Sequence, residues 1–242
     1  SAETTSLHTA PTATPTPSPT PTPSKPLYRK SLYTVILYGD SMVDTMGEVC
    51  EYAYEALKKE HPDTEFLCYN YGKGSENVTQ GLGRFGERLE YQSRRYPPVT
   101  EIKPDICVMG SFAYNVYTPH DRNQHWLDYT RLIQQAQQYC GQVYMLAEIA
   151  PLRADFGKGP NGVNWETKTV IKHSGHIIDQ LENVLGLSKT LGVPLIDAYT
   201  PSKIEGQQEG KREYVNASDG IHPSIEGHKF MAEQIAKTVK FK

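Results

Sequence analysis

Tyr33-Thr34-Val35-Ile36-Leu37-Tyr38 runs directly into Gly39-Asp40-Ser41-Met42, and the reading of this junction decides the fold. The first six residues, rich in β-branched, aliphatic and aromatic side chains, read as a buried strand. A glycine just before a strand-end serine permits a tight turn that lifts the hydroxyl out of the sheet top. Four further runs have the same character: Glu65 to Tyr69, Asp105 to Met109, Val143 to Ile149 and Val193 to Ile196.

Segments with helical spacing separate these runs. They include Val78, Leu82, Phe85 and Leu89, then Leu132, Ile133 and Ala136, then Ile177, Ile178, Leu181, Val184 and Leu185. A closing amphipathic helix is expected from Ile225 through Met231 and Ile235 to Val239, with Ser224 as its N-cap. Strands alternating with helices imply an α/β fold, a five-stranded parallel sheet covered by helices on both faces in a three-layer sandwich. Open sheets of this kind bind ligands past the carboxyl ends of their strands. The chemistry-bearing residues should therefore follow strands, not precede them.

The first 26 residues are different in kind. From Ala10 to Pro26 proline alternates with threonine or serine, and Leu7 is the one large aliphatic before Leu27. Such a stretch cannot bury enough apolar surface to offset its ordering entropy, so residues 1–26 read as an extended linker and 27–242 as one domain. A linker of this type tethers a domain to an anchor or a second module, which points to export. The net charge of −3 gives no attraction to nucleic acid, and no run is apolar enough to insert in a membrane. A monomer is expected. Cys50, Cys68, Cys107 and Cys140 are widely spaced, without a CxxC pair, and Cys68 and Cys107 read as small buried hydrophobes.

Candidate chemistry sits at four of the strand ends. Ser41 follows the first, and Asn70-Tyr71-Gly72-Lys73-Gly74-Ser75 follows the second. A glycine there can turn a backbone N–H toward a developing oxyanion. Gly110-Ser111-Phe112-Ala113-Tyr114-Asn115 follows the third, where a side-chain amide can supply another donor. Asp219-Gly220-Ile221-His222-Pro223 follows the fifth. A serine hydroxyl needs an imidazole to take its proton, and Asp219, three residues ahead of His222, is placed to hold that imidazole in one tautomer. Each motif alone has a plain structural explanation as a turn or cap. Their joint occurrence at successive strand ends is what makes them specific.

Together these blocks resemble those of the SGNH/GDSL hydrolase superfamily, and the resemblance runs from Tyr33 to Val239. It implies a flavodoxin-like fold, ester hydrolysis through Ser41 with His222 as base and Asp219 orienting it, and no metal or other cofactor. It also implies an oxyanion hole of the Ser41 N–H, a glycine N–H and the Asn115 side chain. Gly74 is preferred for the glycine because it abuts the helix start at Ser75, with Gly72 as the alternative. The third block departs from the family pattern: Phe112 and Ala113 stand where Asn and Asp are usual, and the amide comes later, at Asn115.

Tyr71, Tyr114 and Tyr117 flank the proposed oxyanion residues, and Trp165 follows a polar loop from Gly157 to Asn164. Aromatic faces around a cleft suit sugar rings, so a small acyl group on a carbohydrate is the expected substrate. Acyl transfer to a sugar hydroxyl, or a surface-binding module that keeps the fold without the activity, are the alternatives. His173 and His176 read as solvated helix residues, not metal ligands. Asn77-Val78-Thr79 and Asn216-Ala217-Ser218 match the glycosylation acceptor pattern. A glycan at either would obstruct the cleft, so both are expected unmodified, which favours a bacterial exported protein.

Overall fold

The computed structural model describes residues 30–241, so the linker assigned to 1–26 lies outside the described residues. Five parallel strands form the sheet: β1 (Leu32–Gly39), β2 (Glu65–Gly72), β5 (Ile106–Gly110), β6 (Gln142–Ala147) and β7 (Leu195–Asp197), in the order β2-β1-β5-β6-β7. This is the doubly wound, flavodoxin-like order, in which the chain leaves β1 in one direction and resumes at β5 on its other side. Central strands of such a sheet are covered on both faces and read as continuous apolar runs. Val35 to Tyr38 and Ile106 to Met109 are accordingly inaccessible to solvent.

One face carries α2 (Glu51–Glu60) packed on α8 (Ile225–Thr238), and the other carries α3 (Val78–Gly83), α5 (Arg122–Tyr139) and α6 (Thr167–Leu191). Short helices α1 (Ser41–Asp44), α4 (Val99–Ile102) and α7 (Tyr199–Ser202) complete the chain, with a 3₁₀ turn at Arg212–Tyr214. Ser224 caps α8 as expected, its hydroxyl accepting the Gly227 N–H at 3.1 Å.

The helical reading of Val78 to Leu89 fails beyond its first turn and a half. α3 stops at Gly83, and Leu89 opens β3 (Leu89–Tyr91), paired antiparallel with β4 (Arg94–Tyr96) in a separate hairpin. Three glycines, Gly81, Gly83 and Gly86, weaken the helix over this stretch. Gly81 also has a packing role, since a Cβ there would lie 2.4 Å from the Phe112 ring.

Cys107 is not a lone hydrophobe. It forms a disulfide with Cys140, the residue that caps α5. Cys68 is buried and unbonded as expected, and burial pushes its thiol pKa up to about 12.

Candidate active site

Ser41 begins α1 two residues beyond the end of β1, with the intervening Asp40 as the cap: Asp40 Oδ1 accepts the Met42 N–H at 3.0 Å. The turn can form because Asn70 holds it from β2. Its amide nitrogen donates to the carbonyls of Val43, Asp44 and Gly47 at 2.7 to 3.1 Å. Its oxygen accepts the Gly72 N–H at 2.8 Å. A Cβ on Gly72 would meet the Asp44 backbone nitrogen at 2.2 Å. Gly72 therefore packs under α1 with its N–H already engaged, and it does not supply a donor to the cavity.

Gly74 is the glycine beside the serine, since a Cβ on it would lie 3.8 Å from Ser41 Cβ. Its N–H points to the Tyr91 hydroxyl at 3.3 Å, a long contact from the β3–β4 hairpin.

The departure in the third block has a structural cause. Phe112 takes a left-handed backbone (φ 56°) and buries its ring against Gly81. The chain then turns so that the Asn115 amide, not residue 112, reaches the cavity and donates to Asp40 Oδ2 at 2.9 Å. One amide hydrogen is used in this bond, and the second remains. Below the turn, buried Glu148 at the end of β6 accepts the Ser111 N–H at 2.9 Å and the Ser111 hydroxyl. Burial raises the pKa of both Asp40 and Glu148, and for Glu148 the nearby Asp40 charge adds to it.

The Asp219–His222 turn is fully specified. Asp219 Oδ1 accepts the N–H groups of Ile221 (2.7 Å) and His222 (2.9 Å), and Oδ2 lies 2.9 Å from His222 Nδ1. With a carboxylate as acceptor, Nδ1 carries the hydrogen and Nε2 presents its lone pair. Gly220 makes the turn possible with φ 68°, where a Cβ would strike the backbone of Lys158 and Asp155. The loop after β6 braces it from outside: Gly157 N–H donates to Gly220 O at 3.0 Å and Asn161 N–H to Ser218 O at 2.8 Å.

Ser41, Asn115 and His222 all line one cavity of about 400 Å³ at the carboxyl end of the sheet. Its other walls come from Ser75, Asn77 and Gln80 on the α3 side, and from Phe156, Val163, Trp165, His173 and Ile221 on the other. Among the tyrosines expected here, Tyr114 lines this cavity, with its hydroxyl donating to Ile149 O at 2.8 Å. Tyr71 does not. It is buried beneath the site and donates to Pro97 O at 2.5 Å. Tyr117 faces a neighbouring cavity, its hydroxyl 2.8 Å from Thr79 Oγ1. His173 and His176 are not two equivalent solvated residues either. His173 is in the wall shared by both cavities, and His176 stacks on His120. Phe156, Val163 and Ile221 are not legible as wall residues in the sequence because isolated apolar residues in loops carry no periodicity.

A serine, an amide and a His–Asp pair gathered at the strand ends of a parallel sheet form an arrangement suited to acyl transfer on a flavodoxin-like scaffold. The chain belongs to the GDSL-like lipase/acylhydrolase family, whose model matches residues 35–235. It is accordingly a carboxylic ester hydrolase. No curated protein matches the chain in sequence.

Solved structures share the fold. A GDSL-like lipase from Bacteroides thetaiotaomicron is 15% identical, with a TM-score of 0.59 over 85% of this chain and 86% of that one. The acetyl xylan esterase AlAXEase is 19% identical, with a TM-score of 0.59 over 86% of this chain and 100% of that one. A catalytic mutant of an acetylxylan esterase from Geobacillus stearothermophilus is 14% identical, with a TM-score of 0.58 over 87% and 95%.

Proposed function

We propose that the protein removes small acyl groups, acetyl foremost, from a carbohydrate through an acyl-serine intermediate on Ser41. The observation that carries this reading is the 2.9 Å contact between Asp219 Oδ2 and His222 Nδ1, with the imidazole lining the same cavity as Ser41.

In this mechanism His222 Nε2 takes the Ser41 proton as Oγ attacks the ester carbonyl, and Asp219 stabilises the imidazolium that forms. The tetrahedral oxyanion is received by the Ser41 N–H and by the free hydrogen of the Asn115 amide. Gly74 adds a third donor once its N–H turns from the Tyr91 hydroxyl to the anion. His222 then returns the proton to the departing alcohol, and water repeats the sequence on the acyl-serine. Asp40 serves as a positioning residue, since it holds both the start of α1 and the Asn115 amide.

The carbohydrate assignment rests on the cavity wall. Trp165 is 41% exposed, and its ring is T-shaped to that of His173, with ring centroids 5.2 Å apart. An exposed indole offers a flat face for a sugar ring, and Ser75, Asn77 and Gln80 opposite it offer hydroxyl partners. Two of the structural neighbours are described as acetylxylan esterases, which agrees with this choice. An exported location is part of the proposal, and the Cys107–Cys140 disulfide supports it because such bonds persist in oxidising compartments.

The test compares p-nitrophenyl esters of increasing acyl length with acetylated xylo-oligosaccharides, for wild type and Trp165→Ala. Acetyl should be the preferred acyl group. Trp165→Ala should raise KM for the oligosaccharide about tenfold while changing p-nitrophenyl acetate turnover little. Preference for long acyl chains, or an unchanged oligosaccharide KM, would contradict the assignment.

A further inference from the structure

A second cluster lies on the far side of His173. Among the described residues, His120, His176 and Asp179 form one group of metal-ligating side chains, with one ligand atom from each within 4.8 Å of the others. His120 comes from the loop between β5 and α5, and His176 and Asp179 are one turn apart on α6. The carboxylate is thus the i+3 neighbour of His176 on the same helix.

Three features of the cluster point to a ligand. First, His120 Nε2 is 3.5 Å from Asp179 Oδ2. In a tetrahedral site with bonds of ~2.0–2.1 Å, neighbouring ligand atoms are about 3.3–3.4 Å apart, so this pair already stands near ligand spacing. Second, both ring nitrogens of His120 are buried without a hydrogen-bond partner, and a metal bond would offset the desolvation cost at Nε2, the nitrogen that faces Asp179. Third, the rings of His120 and His176 stack with centroids 3.9 Å apart. The stack holds the two side chains side by side.

The surrounding charges are compatible. Asp179 Oδ1 faces Arg122 Nη1 at 3.5 Å, which fixes the carboxylate and leaves Oδ2 on the histidine side. Arg122 is balanced in turn by Glu182 at 3.8 Å. A cavity of about 500 Å³ beside the histidines gives solvent access for a remaining ligand.

We propose that His120, His176 and Asp179 bind one divalent transition-metal ion of the zinc class, with solvent completing the shell. Two imidazoles and one carboxylate suit zinc or cobalt, whereas calcium and magnesium take oxygen shells. The ion acts as a clamp. It ties the loop that carries Asn115 to α6, which carries His173, and it takes no part in the chemistry at Ser41.

The test titrates chelator-treated full-length protein, free of any histidine tag, with Co²⁺ and follows visible absorption, then displaces the Co²⁺ with Zn²⁺. One Co²⁺ per chain with the bands of a four-coordinate ion is expected, together with a Zn²⁺-dependent rise in Tm. His120→Ala and His176→Ala should each weaken Co²⁺ binding by more than about tenfold, and His173→Ala should keep the stoichiometry and the bands. If an alanine variant fails to fold, His120→Gln and Asp179→Asn replace it. No saturable site in the wild type, or unchanged binding in the double variant His120→Ala, His176→Ala, would overturn the proposal.

Discussion

The two sides of the Ser41 cavity are built in opposite ways. On one side Asp219 and His222 are three residues apart, and the aspartate spends one oxygen on two backbone N–H groups and the other on the imidazole. On the other side the proposed oxyanion donors come from three separate strand ends, and two of them are already engaged: Gly74 with Tyr91, Asn115 with Asp40. The first side is set by local hydrogen bonds. The second depends on loops packing against one another, and it has room to be retuned.

This contrast orders the expected effects of substitution. The largest loss should come from the local side. His222→Ala should lower kcat by about 10⁴-fold or more, and Asp219→Asn by about 10³ to 10⁴-fold because the imidazole loses its tautomer control. These are read with p-nitrophenyl acetate under saturation. A loss below tenfold for either would move the base elsewhere.

Asn115→Ala should cost about 10²-fold in kcat with little change in KM, as expected for one donor that acts in the transition state. If KM rises while kcat holds, Asn115 binds substrate and another group receives the oxyanion.

Tyr91→Phe sharpens the comparison. Removing the hydroxyl frees the Gly74 N–H, so kcat should hold or rise, within about threefold. A tenfold fall would show that the phenol, and not Gly74, serves the reaction.

The smallest effect concerns the floor of the site. Glu148 is an acid whose folded-state pKa is raised, chiefly by burial and further by Asp40. The native state then holds a proton that the unfolded chain releases. Its contribution is therefore most favourable below the ordinary carboxylate range, declines as pH rises through the raised pKa, and levels off above it. Glu148→Gln can keep both contacts to Ser111 without carrying a charge. It should match wild type near about pH 5 and exceed its Tm by about 2–4 °C near about pH 9. An equal Tm difference at both pH values would mean that no buried charge is being relieved.

The same contrast explains what the sequence disclosed. Five strands and the α8 cap were legible because each is written in contiguous residues with a single period or a cap motif. So was the Asp219–His222 turn, a three-residue relation. The β3–β4 hairpin was hidden because Val78, Leu82, Phe85 and Leu89 match a helical spacing that the glycines between them cannot sustain. The Cys107–Cys140 bond, the burial of Tyr71 and the approach of His120 to α6 are all contacts between distant segments. A periodicity analysis cannot see them. The surroundings of Gly72 are likewise not written in the local sequence: Asn70 takes its N–H, and the α1 backbone leaves no room at its Cα.

The central claim is that Ser41 is the nucleophile served by His222. Reaction with a serine-directed fluorophosphonate, followed by peptide mass spectrometry, tests it most directly. One adduct per chain on Ser41 is expected, abolished in Ser41→Ala and slowed at least about 10²-fold in His222→Ala. An adduct on another residue, or full hydrolytic activity in Ser41→Ala, would contradict it.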